Sequence, residues 1–442
     1  MPEPLQPWLD VATAVVAEYL ATGRPPRDVL ASNHAWSRLP AATRGRVVAA
    51  ANAAIVWQRR SRCVLRGELP CHPPPSPADA RLLVLAAAVI QHQLLPGEAA
   101  AAASVRLPVA VWAALPTPAA VLQRVADPVL RLALLHSVPD WLAQQFVRDF
   151  GDGAESLLQA LNQPGPRTIR CNPLRIADRD TLAARLAVEG IATQPTRHAP
   201  YGLQVDGEAD LFATAAYAEG CFEQQDEASQ LGAWLVAPPP RGRVLDLCAG
   251  AGGKTLALAA ALANRGTLLA TDVMLQRLQS LRQRAARAGV NNLRTVAIGE
   301  RDWPREVAAF AARADRILLD APCSGSGSWR RRPEARWRLQ PADLTAMQAT
   351  QDQLLEHAAA SLAVGARLVY ATCSVFPQEN EQRIAAVLQA HPELVLQRPA
   401  EVLGKAAASA LVDATGSFLA LRPDRQGCDG FFAAILRRPH RR

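Results

Sequence analysis

The stretch RVLDLCAGAGGKTLALAA, residues 243–260, runs from a short apolar strand through a glycine-rich loop into an alanine- and leucine-rich helix. Glycines let a backbone approach a ligand closely, and the first N–H groups of the following helix are free to bind it. Two nucleotide-binding patterns narrowly miss. A Walker loop needs glycine where Cys248 stands, and Gly-x-Gly-x-x-Gly needs it where Thr255 stands. The next strand ends Ala270-Thr271-Asp272, which places a carboxylate where it can grip ribose hydroxyls. A glycine loop with that acid suits a nucleoside ligand lacking a pyrophosphate, such as S-adenosylmethionine.

Outward from this stretch the pattern is regular. Strands are expected at Arg243–Leu247, Thr267–Thr271, Leu293–Ala297, Arg316–Leu319 and Arg367–Ala371, alternating with helices near 254–263, 274–288, 304–312, 341–363 and 377–390. Such alternation predicts an α/β fold with a mostly parallel, doubly wound, Rossmann-like sheet. A last strand, Phe431–Leu436, is expected to return antiparallel. Pro238–Gly242 reads as a boundary turn, after a helix at Asp226–Val236. Between residues 136 and 223 the spacing predicts a small α+β subdomain. Its amphipathic helix opens at Val138 and stops at Asn162. A strand (Thr168–Leu174), a helix (Asp180–Glu189) and extended stretches at Ala192–His198 and Tyr201–Val205 follow. Residues 1–135 read as all-α, with helices at Leu9–Thr22, Ala41–Cys63, Pro77–Leu94 and Val109–Val125. Three domains follow: 1–135, 136–223 and 224–442.

The 442 residues are half hydrophobic and one-fifth charged, which excludes wholesale disorder. A net charge of +8, carried mostly by arginine, suits phosphates and bases, although an Arg- and Ala-rich coding bias would produce the same excess. The N-terminus lacks a signal-peptide pattern, and the apolar run Leu82–Ile90 is too short to span a bilayer. The eight cysteines show neither Cys-x-x-Cys nor zinc spacing, so no metal is expected. A cytoplasmic chain with reduced thiols and no membrane partner is the expectation, a monomer by default.

In doubly wound sheets ligands lie beyond the carboxyl ends of the strands. Two thiols stand there: Asp320-Ala321-Pro322-Cys323 closes the fourth strand and Ala371-Thr372-Cys373-Ser374 the fifth. A lone buried cysteine is usually a small hydrophobe, but two at successive strand ends beside an adenosyl pocket point to chemistry. Carbon 5 of a pyrimidine is too weak a nucleophile to take a methyl group from a sulfonium unaided. A thiolate added at carbon 6 turns it into an enamine carbon that can. The carbon-5 proton must then leave and the thiolate be eliminated, which gives a second acid/base group a task. Asp320 can read the ring-nitrogen and amino edge of the base. The stretch Trp329–Arg338 interleaves arginines with two tryptophans, as an RNA grip would.

With these residues in place, the chain resembles the RNA 5-methylcytosine methyltransferases of the NOL/NSUN/Sun group, and within it the bacterial RsmB (Sun) branch acting on 16S ribosomal RNA. The likeness covers about residues 136–442. It rests on Arg170–Leu174, Gln225–Gln230, Leu247–Thr255, Asp320–Gly327, Tyr370–Ser374, Pro377–Asn380 and Asp429–Phe432. The resemblance implies Cys373 as nucleophile and Cys323 as the thiol assisting product release. Asp320 and Lys254 would line the pocket and complete the catalytic set. S-adenosylmethionine would be bound by Cys248, Ala249, Gly250, Ala251, Gly252, Gly253, Lys254, Asp272, Glu300 and Asp320. Ala251 replaces a frequent family proline. The adenine contact falls on Glu300 or Asp302, with spacing to Pro304 favouring Glu300. Residues 1–135 are compatible with the NusB-like domain of that branch, without a sharp motif. RNA, most simply small-subunit ribosomal RNA, is then the partner. The competing readings are methylation of another nucleic acid (tRNA or DNA) and a non-catalytic ribosome assembly factor keeping the fold.

Overall fold

A computed structural model describes residues 5–67, 75–103, 105–118, 122–207, 209–299 and 303–440. The chain forms two compact units. One takes residues up to Gln163 together with Trp329–Leu339, and the other takes Pro164–Ser328 and Gln340 onward.

The first unit is helical. Helices Leu5–Thr22, Ala41–Arg66 and Ala80–Ile90 pack around Trp8, Val15, Val16, Leu83, Leu85 and Trp112. The long middle helix stops at Gly67, whose left-handed φ of 66° is the usual glycine solution to a helix end. Within the expected helix Val109–Val125 the described residues show a first helix at Val109–Ala113, and residues 119–121 lie outside the described residues. Pro116 and Pro118 follow that helix, and a proline disfavours helical backbone in the residue before it. The helix expected from Val138 is two, Asp140–Phe150 and Ala154–Leu161, divided at Gly151 with φ 51°. Both belong to the helical unit, which extends to Gln163. The buried Arg59 holds them there, donating to Val138 O and Asp140 Oδ1, each at 2.6 Å.

Trp329–Leu339 also belongs to this unit, which corrects the reading of its tryptophans and arginines as one RNA grip. Trp329 and Arg336 are both fully buried. Arg336 donates to Asn162 Oδ1 and to Leu161 O, and Trp337 Nε1 donates to Ile55 O at 2.9 Å. A side chain wrapped on all sides cannot stack on an RNA base; Arg330, Arg331 and Trp337 are half-buried, and Arg332 and Arg338 are exposed.

The second unit contains two sheets. The small one is antiparallel, in the order β2-β3-β1-β4, from β1 (Thr168–Cys171), β2 (Thr193–Pro195), β3 (Gly202–Val205) and β4 (Phe222–Gln224). Its core is Ile169, Leu182, Leu186, Leu203 and Phe222. The large one comprises β5 (Arg243–Asp246), β6 (Thr267–Asp272), β7 (Leu293–Ala297), β8 (Arg316–Asp320), β9 (Arg367–Thr372), β10 (Val395–Gln397), β11 (Leu419–Leu421) and β12 (Phe431–Arg437). Its order is β10-β12-β9-β8-β5-β6-β7. The five strands from β9 to β7 are parallel, β12 is antiparallel to β9, and β11 pairs with β12. This is the expected Rossmann-like architecture. Alternate residues along β5, β8 and β9 feed two cores, Leu245, Ile317 and Leu368 on one face and Val244, Leu318 and Val369 on the other. That explains their unbroken apolar sequence.

The connection order reverses between β5 and β8, which opens a crevice at the carboxyl ends of the parallel strands. The small sheet is fastened to the large one by buried polar contacts. Arg170 donates to Gln225 Oε1 (2.6 Å) and Gly253 O (2.9 Å). Asn172 Nδ2 donates to Gly220 O and Ala288 O. Glu223 receives Arg284 and Arg287. The motif residues Arg170, Asn172 and Gln225 thus act as architecture.

Candidate active site

The glycine loop after β5 turns on two left-handed residues. Gly252, φ 92°, lies so close to the next helix that an added Cβ would meet Leu281 Cδ1 at 2.1 Å. Gly250, φ 55°, has nothing within 4 Å of its would-be Cβ. One glycine therefore serves packing, and the other leaves open space at the sheet edge. The Gly250 N–H donates to Asp272 Oδ2 (2.9 Å), and Asp272 Oδ1 accepts from Met274 N–H (2.8 Å). The loop and the acid closing β6 are thereby locked together. Helix Gly253–Ala261 starts immediately beyond, with its first N–H groups toward the crevice end of the sheet. Cys248 and Ala249 complete the loop, and burial pushes the Cys248 thiol up. Glu300 and Asp302 lie outside the described residues.

Below the loop is an acid the sequence reading passed over. Asp246 is fully buried, and its Oδ2 accepts from Thr255 Oγ1 at 2.7 Å. Burial lifts its pKa to about 7. Lys254, on the first turn of the same helix, reaches Asp320 at the end of β8, Nζ to Oδ2 2.6 Å. Burial pushes the ammonium toward neutrality, but the Asp320 carboxylate outweighs it and holds Lys254 above its ordinary pKa.

β8 and β9 pair in parallel with Asp320 opposite Ala371, so the residues following them share one edge. There Cys323 Sγ and Cys373 Sγ lie 3.4 Å apart. The hydrogen bond between them splits the pair, holding Cys373 below the ordinary thiol range and, with burial, lifting Cys323 well above it. Burial and Asp320 oppose ionisation of Cys373, while Lys254 favours it. The arrangement pairs a thiol whose ionisation is favoured with a neighbour whose ionisation is disfavoured. Two further loops brace the edge. Gly327 N–H donates to Cys373 O, and Gly430 N–H, just before β12, donates to Gly327 O, both at 2.9 Å. A side chain at Gly327 would collide with Gly430 O at 2.2 Å.

Residues 233–437 match the family described as 16S rRNA methyltransferase RsmB/F. The chain is 33% identical to the probable ribosomal RNA small subunit methyltransferase B of Synechocystis, over 69% of this chain and 67% of that one. It belongs to the RsmB/F family. Residues 138–211 match the RsmF/B-like ferredoxin-like domain. The ribosomal RNA small subunit methyltransferase B of Xylella fastidiosa is 34% identical over 67% of this chain and 68% of its own. The matched region thus spans about two-thirds of these relatives. Among solved structures, PH0851 superposes with a TM-score of 0.75 at 25% identity, covering 98% of this chain and 99% of that one. A methyltransferase homologue from Pyrococcus horikoshii gives 0.60 at 28% identity, covering 71% and 99%.

S-adenosylmethionine is the cofactor of this RsmB/F chain, and the residues present fit it. The open space at Gly250 admits a ligand close to the backbone, and the Asp272 carboxylate at the end of β6 has its orientation fixed by two backbone N–H groups. Among the described residues no group of three or more metal-ligating side chains converges, and no helix is long and apolar enough to cross a membrane. The sequence reading brought Cys373, Cys323, Asp320, Lys254, Asp272 and the glycine loop to one sheet edge, where the structure has them. It quoted Pro377–Asn380 and, within other motifs, Ser324 and Ser374 without a role, and passed over Gln351; Ser324, Ser374 and Gln351 all bond the Glu379 carboxylate.

Proposed function

We propose that this chain methylates carbon 5 of a cytosine in small-subunit ribosomal RNA through a covalent cysteine–cytosine intermediate. The observation that carries the reading is the 3.4 Å approach of the Cys373 and Cys323 sulfurs at one sheet edge, where ionisation is eased at Cys373 and opposed at Cys323, beside the Lys254–Asp320 ion pair. Cys373 adds to carbon 6 of an unstacked cytosine. Asp320, held by Lys254, accepts from the amino group of the base, and from its ring nitrogen once thiolate addition lets that nitrogen take a proton. Asp272, Gly250 and the helix start at Gly253 hold the cofactor, which when bound supplies an electrophilic methyl group for carbon 5. Cys323 then assists loss of the carbon-5 proton and release of the Cys373 sulfur. The cysteine after Pro322 is the attacking group in the rival DNA-type chemistry. Here it is the thiol whose ionisation is disfavoured.

The helical region, residues 1–135, is proposed as a NusB-like RNA-docking domain, with 136–223 as an RNA-binding subdomain and 224–442 as the catalytic domain. A groove of about 260 Å³ on the helical unit, lined by Arg27, Trp36, Asn52, Arg331 and Arg332, supports the docking role by pairing guanidinium groups with an indole.

The test uses tritiated cofactor and small-subunit RNA. Cys373→Ala should transfer no methyl group and form no adduct, whereas Cys323→Ala should accumulate a denaturation-resistant protein–RNA complex. Interchanged outcomes would overturn the assignment, and label on a base other than cytosine would overturn the substrate.

A further inference from the structure

Glu379 is fully buried at the end of a short 3-10 turn, Pro377–Glu379, and no step above uses it. Its carboxylate is nonetheless among the most heavily bonded groups in the unit. Oε1 accepts from Ser324 N–H at 2.8 Å and from Gln351 Nε2 at 3.0 Å. Oε2 accepts from both the Ser324 and the Ser374 hydroxyls. Ser324 directly follows Cys323, and Ser374 directly follows Cys373. One buried carboxylate thus grips the residue next to each thiol.

The surrounding bonds rigidify that grip. Ser326 Oγ bonds Ser374 Oγ (3.0 Å) and accepts from Val375 N–H (2.9 Å). Tyr370 donates its hydroxyl to Glu379 O (2.6 Å), and Gln351 also donates to Pro322 O (2.9 Å). Asn380 fixes the same loop through Ser374 O and the Thr372 hydroxyl. A carboxylate out of water is costly unless fully hydrogen-bonded, and these four donors are all neutral. A carboxylate binding all four has settled geometry, and any opening of either cysteine loop would strand it.

We propose that Glu379 is a positioning residue, a clamp that joins the Cys323 and Cys373 loops and sets the spacing of their sulfurs. The catalytic consequence rests on the two-thiol reading above, but the clamp itself does not. Glu379 touches neither sulfur. Its charge disfavours both thiolates, so losing that charge alone would speed oxidation; the clamp acts through Ser324 and Ser374, and its loss should slow the chemistry while leaving the cofactor and RNA sites in place.

The decisive readout is independent of methylation. Diamide oxidises two adjacent thiols, taking two electrons and two protons as the sulfur–sulfur bond forms and its diazene becomes a hydrazine. The rate of Cys323–Cys373 disulfide formation, followed by mass spectrometry of the full-length protein, reports how often the sulfurs meet. Glu379→Ala should slow it by about tenfold or more, the scale of one lost charge-assisted hydrogen bond. kcat should fall by about 100-fold, with KM for RNA and cofactor nearly unchanged. Glu379→Gln should restore most of both, since its amide oxygen can accept from Ser324 N–H and the serine oxygens can accept from its NH₂. Should Glu379→Ala not fold, the paired change Ser324→Ala and Ser374→Ala weakens the clamp while keeping Ser324 N–H and Gln351 on the carboxylate. The expected direction is the same. Disulfide formation at the wild-type rate in either variant overturns the proposal, as does a Glu379→Gln protein as impaired as Glu379→Ala. If the chain methylated no cytosine at all, the disulfide rates would still decide the clamp.

Discussion

Lys254 Nζ lies 2.6 Å from Asp320 Oδ2, an ion pair joining the helix after β5 to the end of β8. It also bears on Cys373, whose thiolate the ammonium favours and the carboxylate opposes. Lys254→Met removes the favourable charge and leaves Asp320 uncompensated, so both changes disfavour the thiolate. The pH midpoint for alkylation of Cys373 by iodoacetamide should move upward, and methyl transfer should lose its neutral-pH rate first. An unchanged midpoint would separate the ion pair from the nucleophile.

The two thiols should differ in reactivity despite their proximity. Near neutral pH, Cys373 should be alkylated ahead of Cys323, because the bond between them lowers one and raises the other. Cys323→Ala removes the donor to the Cys373 sulfur and should raise the Cys373 midpoint. Peptide mapping over a pH series reads both outcomes.

Asp246 carries a stability signature of known sign. Its folded pKa, about 7, lies above its unfolded value because burial disfavours the carboxylate. Below the unfolded pKa both states hold the proton and there is no penalty. As pH rises toward 7 the unfolded chain ionises first, and stability is lost progressively. Asp246→Asn keeps an acceptor for Thr255 and has no charge to lose. Its stability advantage over wild type, read from unfolding curves, should therefore grow between pH 4 and pH 7, toward an upper bound of about 4 kcal/mol.

The two loop glycines should separate binding from folding. Gly252→Ala meets Leu281 and should destabilise the unit by about 1–3 kcal/mol. Gly250→Ala meets no neighbour, so it should cost only the left-handed backbone strain, about 1–2 kcal/mol. It should nonetheless weaken S-adenosylmethionine binding in calorimetry, because the new methyl occupies the open space at the crevice. Full affinity in Gly250→Ala would place the cofactor elsewhere.

Trp329→Ala should destabilise by about 3–5 kcal/mol, as expected for a fully buried aromatic. Arg336→Ala strands Asn162 Oδ1 and Leu161 O and should cost about 2–3 kcal/mol. Thermal unfolding reads both. A variant with wild-type Tm and selectively weakened RNA binding would instead restore the RNA-grip reading.

The five parallel strands were legible because most are apolar runs closing on Asp, Gly or Cys and alternating with helical stretches, and the doubly wound rule sends the ends to one edge. Strands β4, β10 and β11 were not, since three residues are too few to carry a pattern and form only against a neighbour. The helix expected across 377–390 breaks at Asn380, so Glu379 closes a separate turn and its carboxylate lies among the serines. Local propensity does not register that exchange.

The sequence by itself determined the fold class, the strand ends and which candidate side chains stand at them, because periodicity and motif spacing are local properties. Only the tertiary structure decided that Trp329 and Arg336 are core rather than RNA contacts. Only it showed that Asp246 is buried enough to hold a proton near neutrality, and that Glu379 bonds the neighbours of both cysteines. Each of these depends on what lies across space from a residue, and burial and hydrogen-bond partners are fixed by chain segments tens or hundreds of residues away.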